Sequence, residues 1–219
     1  MLLRRLQDLL GGIYDVRIAH DVYDFLVTDR ARLPEAARGG SAEEELLVAA
    51  SGDGDGLALS LYLDAALLER LAREDPLTRL HAGNVADCLT ALEGVSHFLY
   101  LAWNAGHDRP VSLIELETQA EIDKYVASHV LLTRQAPGHF PLELRRVLFE
   151  RARPDPRLPG ARAQLYREAS RLAARFCARL EGSLAGAQAG MADRAVLAQL
   201  RRFYRLSHAH KRAHIERGG

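Results

Sequence analysis

Between Arg79 and Arg109 the chain carries no lysine or arginine, although Lys and Arg together number 29 in its 219 residues. The core of this stretch, LEGVSHFLYLAWNA (residues 92–105), sets a Glu, a His, a Tyr and an Asn among large apolar side chains. Solvated helix faces usually carry long cationic side chains, so a segment stripped of them is expected inside the protein. On a helical wheel Thr90, Glu93, His97, Tyr100 and Asn104 fall in one narrow arc, and most of the remaining circumference is apolar (Leu92, Val95, Phe98, Leu99, Trp103). The pattern predicts a mostly buried helix with one polar stripe.

The following segment repeats the device. Glu117, Glu121, Lys124 and Ser128 share one arc, while Glu115, Gln119 and Asp123 read as a separate outward face. The GHDRP connection is short, and Ser112 with Glu115 forms a capping box at the start of the second helix. The two helices are therefore antiparallel neighbours. With the turn centred near residue 108, opposite levels sum to about 217, within a helical turn. Glu93 then stands level with Lys124, His97 with Glu121, and Tyr100 with Glu117, and each pair is chemically complementary.

Such a stripe serves either as a closed polar network that fixes helix register or as a site between helices. The candidates for a catalytic role are Glu93, His97, Tyr100, Glu117, Glu121 and Lys124. Glu93, His97, Glu117 and Glu121 are also ligand types for Fe, Mn or Zn. A ferritin-like site needs Glu-x-x-His twice, whereas here Glu93 and His97 are four apart and occur once. Lys124 at the same level opposes a cation, so the expectation is no cofactor rather than a divalent metal. Without a metal, His97 held by Glu121 would act as a general base. No GxSxG, Walker loop or strand-borne GxGxxG is present.

The rest of the chain frames this pair. GLALSLYLD alternates, with Leu57, Leu59, Leu61 and Leu63 on one face; with ELLVAAS before it and GDGDG between, it predicts a β-hairpin. Asp53 and Asp55 in that turn lack the later oxygen ligands of a calcium loop. YDVRIAHDVYDFLVTD adds one strand or two, RARLPEAARGGSAEE reads as a loop, and MLLRRLQDLLGG as a short amphipathic helix rather than a signal peptide. Helices are expected near 65–74, 84–105, 112–133, 141–152, 161–181 and 192–216, with RPDPRLPG and GSLAGAQAG as connectors. The expected fold is a single α+β domain over residues 1–219: a small antiparallel sheet in a strand-rich part (1–64) packed with a larger helical layer (65–219). With 48% hydrophobic residues the chain is long enough for one well-buried core.

Charge is divided unevenly. Residues 1–133 hold 11 basic and 22 acidic residues, a balance of −11, and residues 134–219 hold 18 basic and 7 acidic, a balance of +11. Arg167, Arg171, Arg175 and Arg179 step along one helix face, and Arg201, Arg205, Lys211 and Arg212 follow in the last helix. Such a surface attracts an acidic protein, a nucleic acid or a phosphorylated ligand. The competing account is internal compensation, within the chain or in a homo-oligomer, since the total charge is zero. Lysine stands only at positions 124 and 211, which codon bias in a GC-rich genome explains. His210 and His214, one turn apart, read as packing or helix-dipole residues rather than a chelating pair. Two isolated cysteines, Cys88 and Cys177, and no membrane span point to a reducing cytoplasm. The leading functional expectation is a binding or regulatory protein that engages an anionic or acidic partner through the arginine-rich helices. The competing one is an enzyme, metal-dependent or not, built on the Glu/His stripe.

Overall fold

The computed structural model describes residues 1–50, 57–138, 140–150, 160–186, 191 and 193–217. Its order is α1 (Leu2–Tyr14), β1 (Leu26–Val27), α2 (Glu35–Arg38), β2 (Glu44–Ala50), β3 (Leu57–Leu63), α3 (Ala65–Arg73), α4 (Val85–Ala105), α5 (Leu113–Gln135), α6 (Leu144–Phe149), α7 (Gly160–Gly186), α8 (Arg194–Tyr204) and α9 (His208–Glu216). This is an α+β fold with a larger helical layer. Asp64 caps α3 by accepting from the Ala66 amide at 2.8 Å, and Ser112 caps α5 through the Glu115 amide. The Glu115 carboxylate does not close the capping box, because it turns inward to Tyr100 at 2.5 Å.

β2 and β3 pair antiparallel, as a hairpin requires, with Leu46 opposite Leu61 and Glu44 opposite Leu63. The hairpin turn itself, with Asp53 and Asp55, lies outside the described residues, as does most of the RPDPRLPG connector. The sheet is mixed rather than wholly antiparallel, because the two-residue β1 lies parallel to β3 in the order β1-β3-β2. The alternation in β3 works as expected: Leu61 and Leu63 enter the main core. Tyr62, on the other face, is also buried, against Leu33 and Ala37, with the Arg30 guanidinium 4.2 Å above its ring. The segment expected as a loop thus contains α2 and covers the outer face of the sheet.

α4 and α5 form the centre of the helical layer. Phe98, Tyr100 and Val95 of α4 and Ile122, Tyr125 and Val126 of α5 are buried in one core with residues of α1, α7 and α8. α5 is enclosed on both sides, so its supposed outward face does not exist: Glu115, Gln119 and Asp123 are all buried. The helix expected over 192–216 is two helices, broken before Ser207, and α7 runs on to Gly186 into the stretch expected as a link.

Candidate metal centre

α4 brings Glu93 and His97 to the site, α5 brings Glu117, Glu121 and Lys124, and β2 adds Glu44. The close approach of the strand depends on Gly94. A Cβ there would stand 2.9 Å from Leu61 Cδ1 and 3.1 Å from Glu44 Cγ. The absence of a side chain therefore lets the β2–β3 hairpin lie on α4 and bring the Glu44 carboxylate to His97.

His97 is 4% exposed. Its Nδ1 lies 3.3 Å from Glu44 Oε1, and its Nε2 lies 3.6 Å from Glu117 Oε2. The second distance suits an ion pair but exceeds a hydrogen bond, and Nε2 has no hydrogen-bond partner. Glu93, His97 and Glu117 each offer one ligand atom, all within 4.8 Å of one another. Lys124 Nζ donates to Glu93 Oε2 at 3.0 Å and also pairs with Glu121.

Burial opposes charge on His97, but the Glu117 and Glu44 carboxylates outweigh it and raise the imidazole well above its ordinary value. Burial likewise works to raise the Glu93 carboxyl; Lys124 and His97 overcome it and hold the group below its usual range. For Glu44 burial prevails over the His97 contact, and its carboxyl is raised. Lys124, caught between Glu93 and Glu121, is raised despite burial. Tyr166 of α7 senses the same carboxylates: burial first, then Glu117, push its phenol up to about 12.

The pairing of Glu93 with Lys124 follows the level rule. The other two pairings differ from it: His97 meets Glu117 and Glu44 instead of Glu121, and Tyr100 meets Glu115 instead of Glu117. Glu121 turns to Lys124, three residues along its own helix. Tyr100 lies to the other side of the α4 stripe, where the buried Glu115–Gln119–Asp123 face of α5 receives it. Glu44 was not among the sequence candidates. Its only sequence signal is an acidic residue at the start of a strand, which does not distinguish it from Glu43 and Glu45.

The basic residues divide into two groups. Arg201 donates to the Ile13 carbonyl (3.2 Å), and Arg205 to the Tyr14 and Asp15 carbonyls (3.0 and 2.8 Å), so both hold the C-terminal end of α1. Arg179 holds the Ile215 carbonyl at the end of α9. Lys211 is 3% exposed and points inward, which removes it from any basic surface. Arg167, Arg171, Arg175 and Arg212 remain exposed, with Arg171 paired to Glu168 and Arg212 to Glu216. His214 packs near the Phe203 ring (5.6 Å), and His210 contacts Ser207.

A cavity of about 420 Å³ lies beside α1, lined by Arg4, Asp8, Asp15, Arg17 and Leu99, and none of the stripe residues lines it. Among the described residues no helix is long and apolar enough to cross a membrane. No family model matches the chain, and neither a curated protein nor a solved structure matches it.

Proposed function

We propose that the chain is a metal-dependent enzyme that binds one divalent transition-metal ion through Glu93, His97 and Glu117. The observation that carries this reading is the buried His97 Nε2, which lacks a hydrogen bond and lies 3.6 Å from Glu117 while Nδ1 is held by Glu44, in a group with Glu93 whose ligand atoms all lie within 4.8 Å of one another. A carboxylate on the distal nitrogen fixes the tautomer and the orientation of a metal-ligating histidine, which is the part Glu44 would play. Tetrahedral donors each about 2.1 Å from an ion stand about 3.4 Å apart, so ligand atoms that lie within 4.8 Å of one another close by up to roughly 1.4 Å on binding.

Charge supports the same reading. Glu44, Glu93, Glu117 and Glu121 surround His97 and a single lysine. The objection raised by Lys124 weakens because that ammonium has Glu121 as a partner of its own. In the metal-free state the imidazole proton takes the place of the cation, and binding releases it. The Glu93 side chain is 26% exposed against 5% for His97, which leaves the solvent side of Glu93 as the route to the ion. Three protein ligands leave positions for water or substrate, and the ion would supply Lewis-acid activation there.

The test is metal analysis of protein purified without chelator, followed by reloading of apoprotein with Zn, Mn or Fe(II). About one equivalent per chain is expected. A ligand at a hundred times its dissociation constant adds about 2.7 kcal/mol of stability, so the melting temperature should fall on chelation and recover on reloading. Glu117→Gln and His97→Ala should lose that response. Protein that takes up no metal and melts at one temperature throughout would rule the reading out.

A second reading keeps the arginine-rich helices as a surface for an anionic partner. It is favoured by the exposure of Arg167, Arg171, Arg175 and Arg212, none of which is bound to another element's backbone as the also exposed Arg205 is.

A further inference from the structure

α9 is a nine-residue helix that buries only two side chains, Lys211 and Ile215. Lys211 Nζ donates to Tyr100 Oη at 2.8 Å and to Gln119 Oε1 at 2.7 Å. Both acceptors are neutral, and among the described residues no carboxylate lies within ion-pair distance of this amine. Carboxylates stand one hydrogen bond further out: Tyr100 donates to Glu115 at 2.5 Å, and Gln119 Nε2 donates to Asp123 at 2.7 Å. The Tyr100, Phe203 and Tyr204 rings enclose the amine, with centroids at 4.3, 5.2 and 5.7 Å.

Each element around Lys211 contributes to its surroundings. α4 provides Tyr100; the α4–α5 turn provides Arg109, whose charge works against a second cation; α5 provides Glu115, Gln119 and Asp123. α8 provides Phe203 and Tyr204, and α1 reaches Asp123 through Tyr14 at 2.5 Å. α7 holds the far end of α9, where Arg179 bonds the Ile215 carbonyl at 3.0 Å. On α9 itself His210, Arg212 and His214 are exposed. Lys124 is bound directly by two carboxylates; Lys211 has none at contact distance. The ring faces attract a cation, but a fully buried amine whose direct acceptors are both neutral recovers less of the cost of burying its charge than the carboxylate-bound Lys124 does.

We propose that α9 is an acid-released strap, docked through the neutral Lys211 amine and freed when that amine takes up a proton. Burial pulls the amine down to about 7, with Glu115 and Asp123 opposing the shift and Arg109 adding to it. On an undocked, solvated helix it returns to about 10.4. Between those values the undocked strap binds one more proton than the docked one, so docking weakens by up to about tenfold for each unit of falling pH, and the dependence fades below about 7. Asp123, raised to about 6 chiefly by burial, is already ionised across that window and does not set it.

Hydrogen exchange on the full chain from pH 7 to 9, corrected for intrinsic rates, tests this proposal. Protection of the amides in 208–216 should rise by up to about tenfold per unit. Lys211→Met, which keeps an unbranched chain in the aromatic box, should abolish the slope. A flat profile for α9 in the unaltered protein overturns the proposal without reference to any variant, and so does a methionine variant with the original slope.

Discussion

Lys124 and Lys211 are the only lysines in the chain, and both are sunk into the α4–α5 pair while arginine serves the surface. Composition offers codon bias as the reason for so few lysines. The structure adds a reason for these two: an ammonium is compact and directs three donors, so it fits between side chains where a planar guanidinium does not. The partners then decide what each amine does. Lys124, between Glu93 and Glu121, stays charged and ties the helices together, whereas Lys211 meets neutral acceptors. Double-mutant cycles read by urea denaturation should separate the pairs. Lys124→Met should couple with Glu93→Gln and with Glu121→Gln by roughly 1–3 kcal/mol each. His97→Ala and Glu121→Gln should add independently, because His97 faces Glu44 and Glu117. A coupling between His97 and Glu121 as strong as that of Lys124 would show that the imidazole is paired as the level rule has it.

The elements owe their placement to a few residues that do not follow the general pattern. Gly94 sits in the middle of α4, where alanine would favour the helix by up to about 1 kcal/mol. The added Cβ would press on Leu61, a fully buried side chain of β3, and on the stem of Glu44. Overpacking of this kind costs about 1–3 kcal/mol. Gly94→Ala should therefore lower stability by up to about 2 kcal/mol in thermal denaturation and, by lifting Glu44 from His97, weaken the metal uptake proposed above. A more stable variant would mean that the hairpin can move off the helix at little cost. The helix pair itself was legible: two long helices, a short turn, the Ser112 cap and the polar stripe on α4 follow from spacing alone. The inner character of the Glu115–Gln119–Asp123 face was not, because polar residues at helical spacing look alike whether they face water or other polar groups.

Among the described residues, the ion pairs of the C-terminal arginines fall within the C-terminal half itself, as Arg145–Glu181, Arg171–Glu168 and Arg212–Glu216 do. Three of the C-terminal arginines go to backbone carbonyls of other elements, with Arg201 and Arg205 closing the end of α1 and Arg179 the end of α9. The first two tie α1 to the end of α8, alongside the Tyr14–Tyr204 stack at 4.2 Å, and the third ties α7 to α9. Replacement of Arg201 and Arg205 by Ala should cost roughly 1–2 kcal/mol, since one bond from each, to Ile13 and to Tyr14, is partly buried and bonds from charged groups contribute up to about 1.5–3 kcal/mol. Replacement of Arg171 and Arg175 by Glu should change stability by less than about 1 kcal/mol, because exposed charges contribute little. If an anionic partner binds this face, the second pair abolishes that association. Equal losses of thermal stability from the two pairs would refute this division into structural and surface arginines.

What the sequence determined by itself is local: the hairpin, the polar arc on α4, the Ser112 cap and the predominance of helix, each set by periodicity and by which residues satisfy a helix end or tolerate a turn. Tertiary structure alone decided which polar groups meet. Glu44 reaches His97 from a strand 53 positions away in the sequence, and Lys211 reaches Tyr100 across 111 positions. Such contacts depend on which elements close around α4 and α5. Periodicity states how a side chain points on its own helix and says nothing of the element packed opposite.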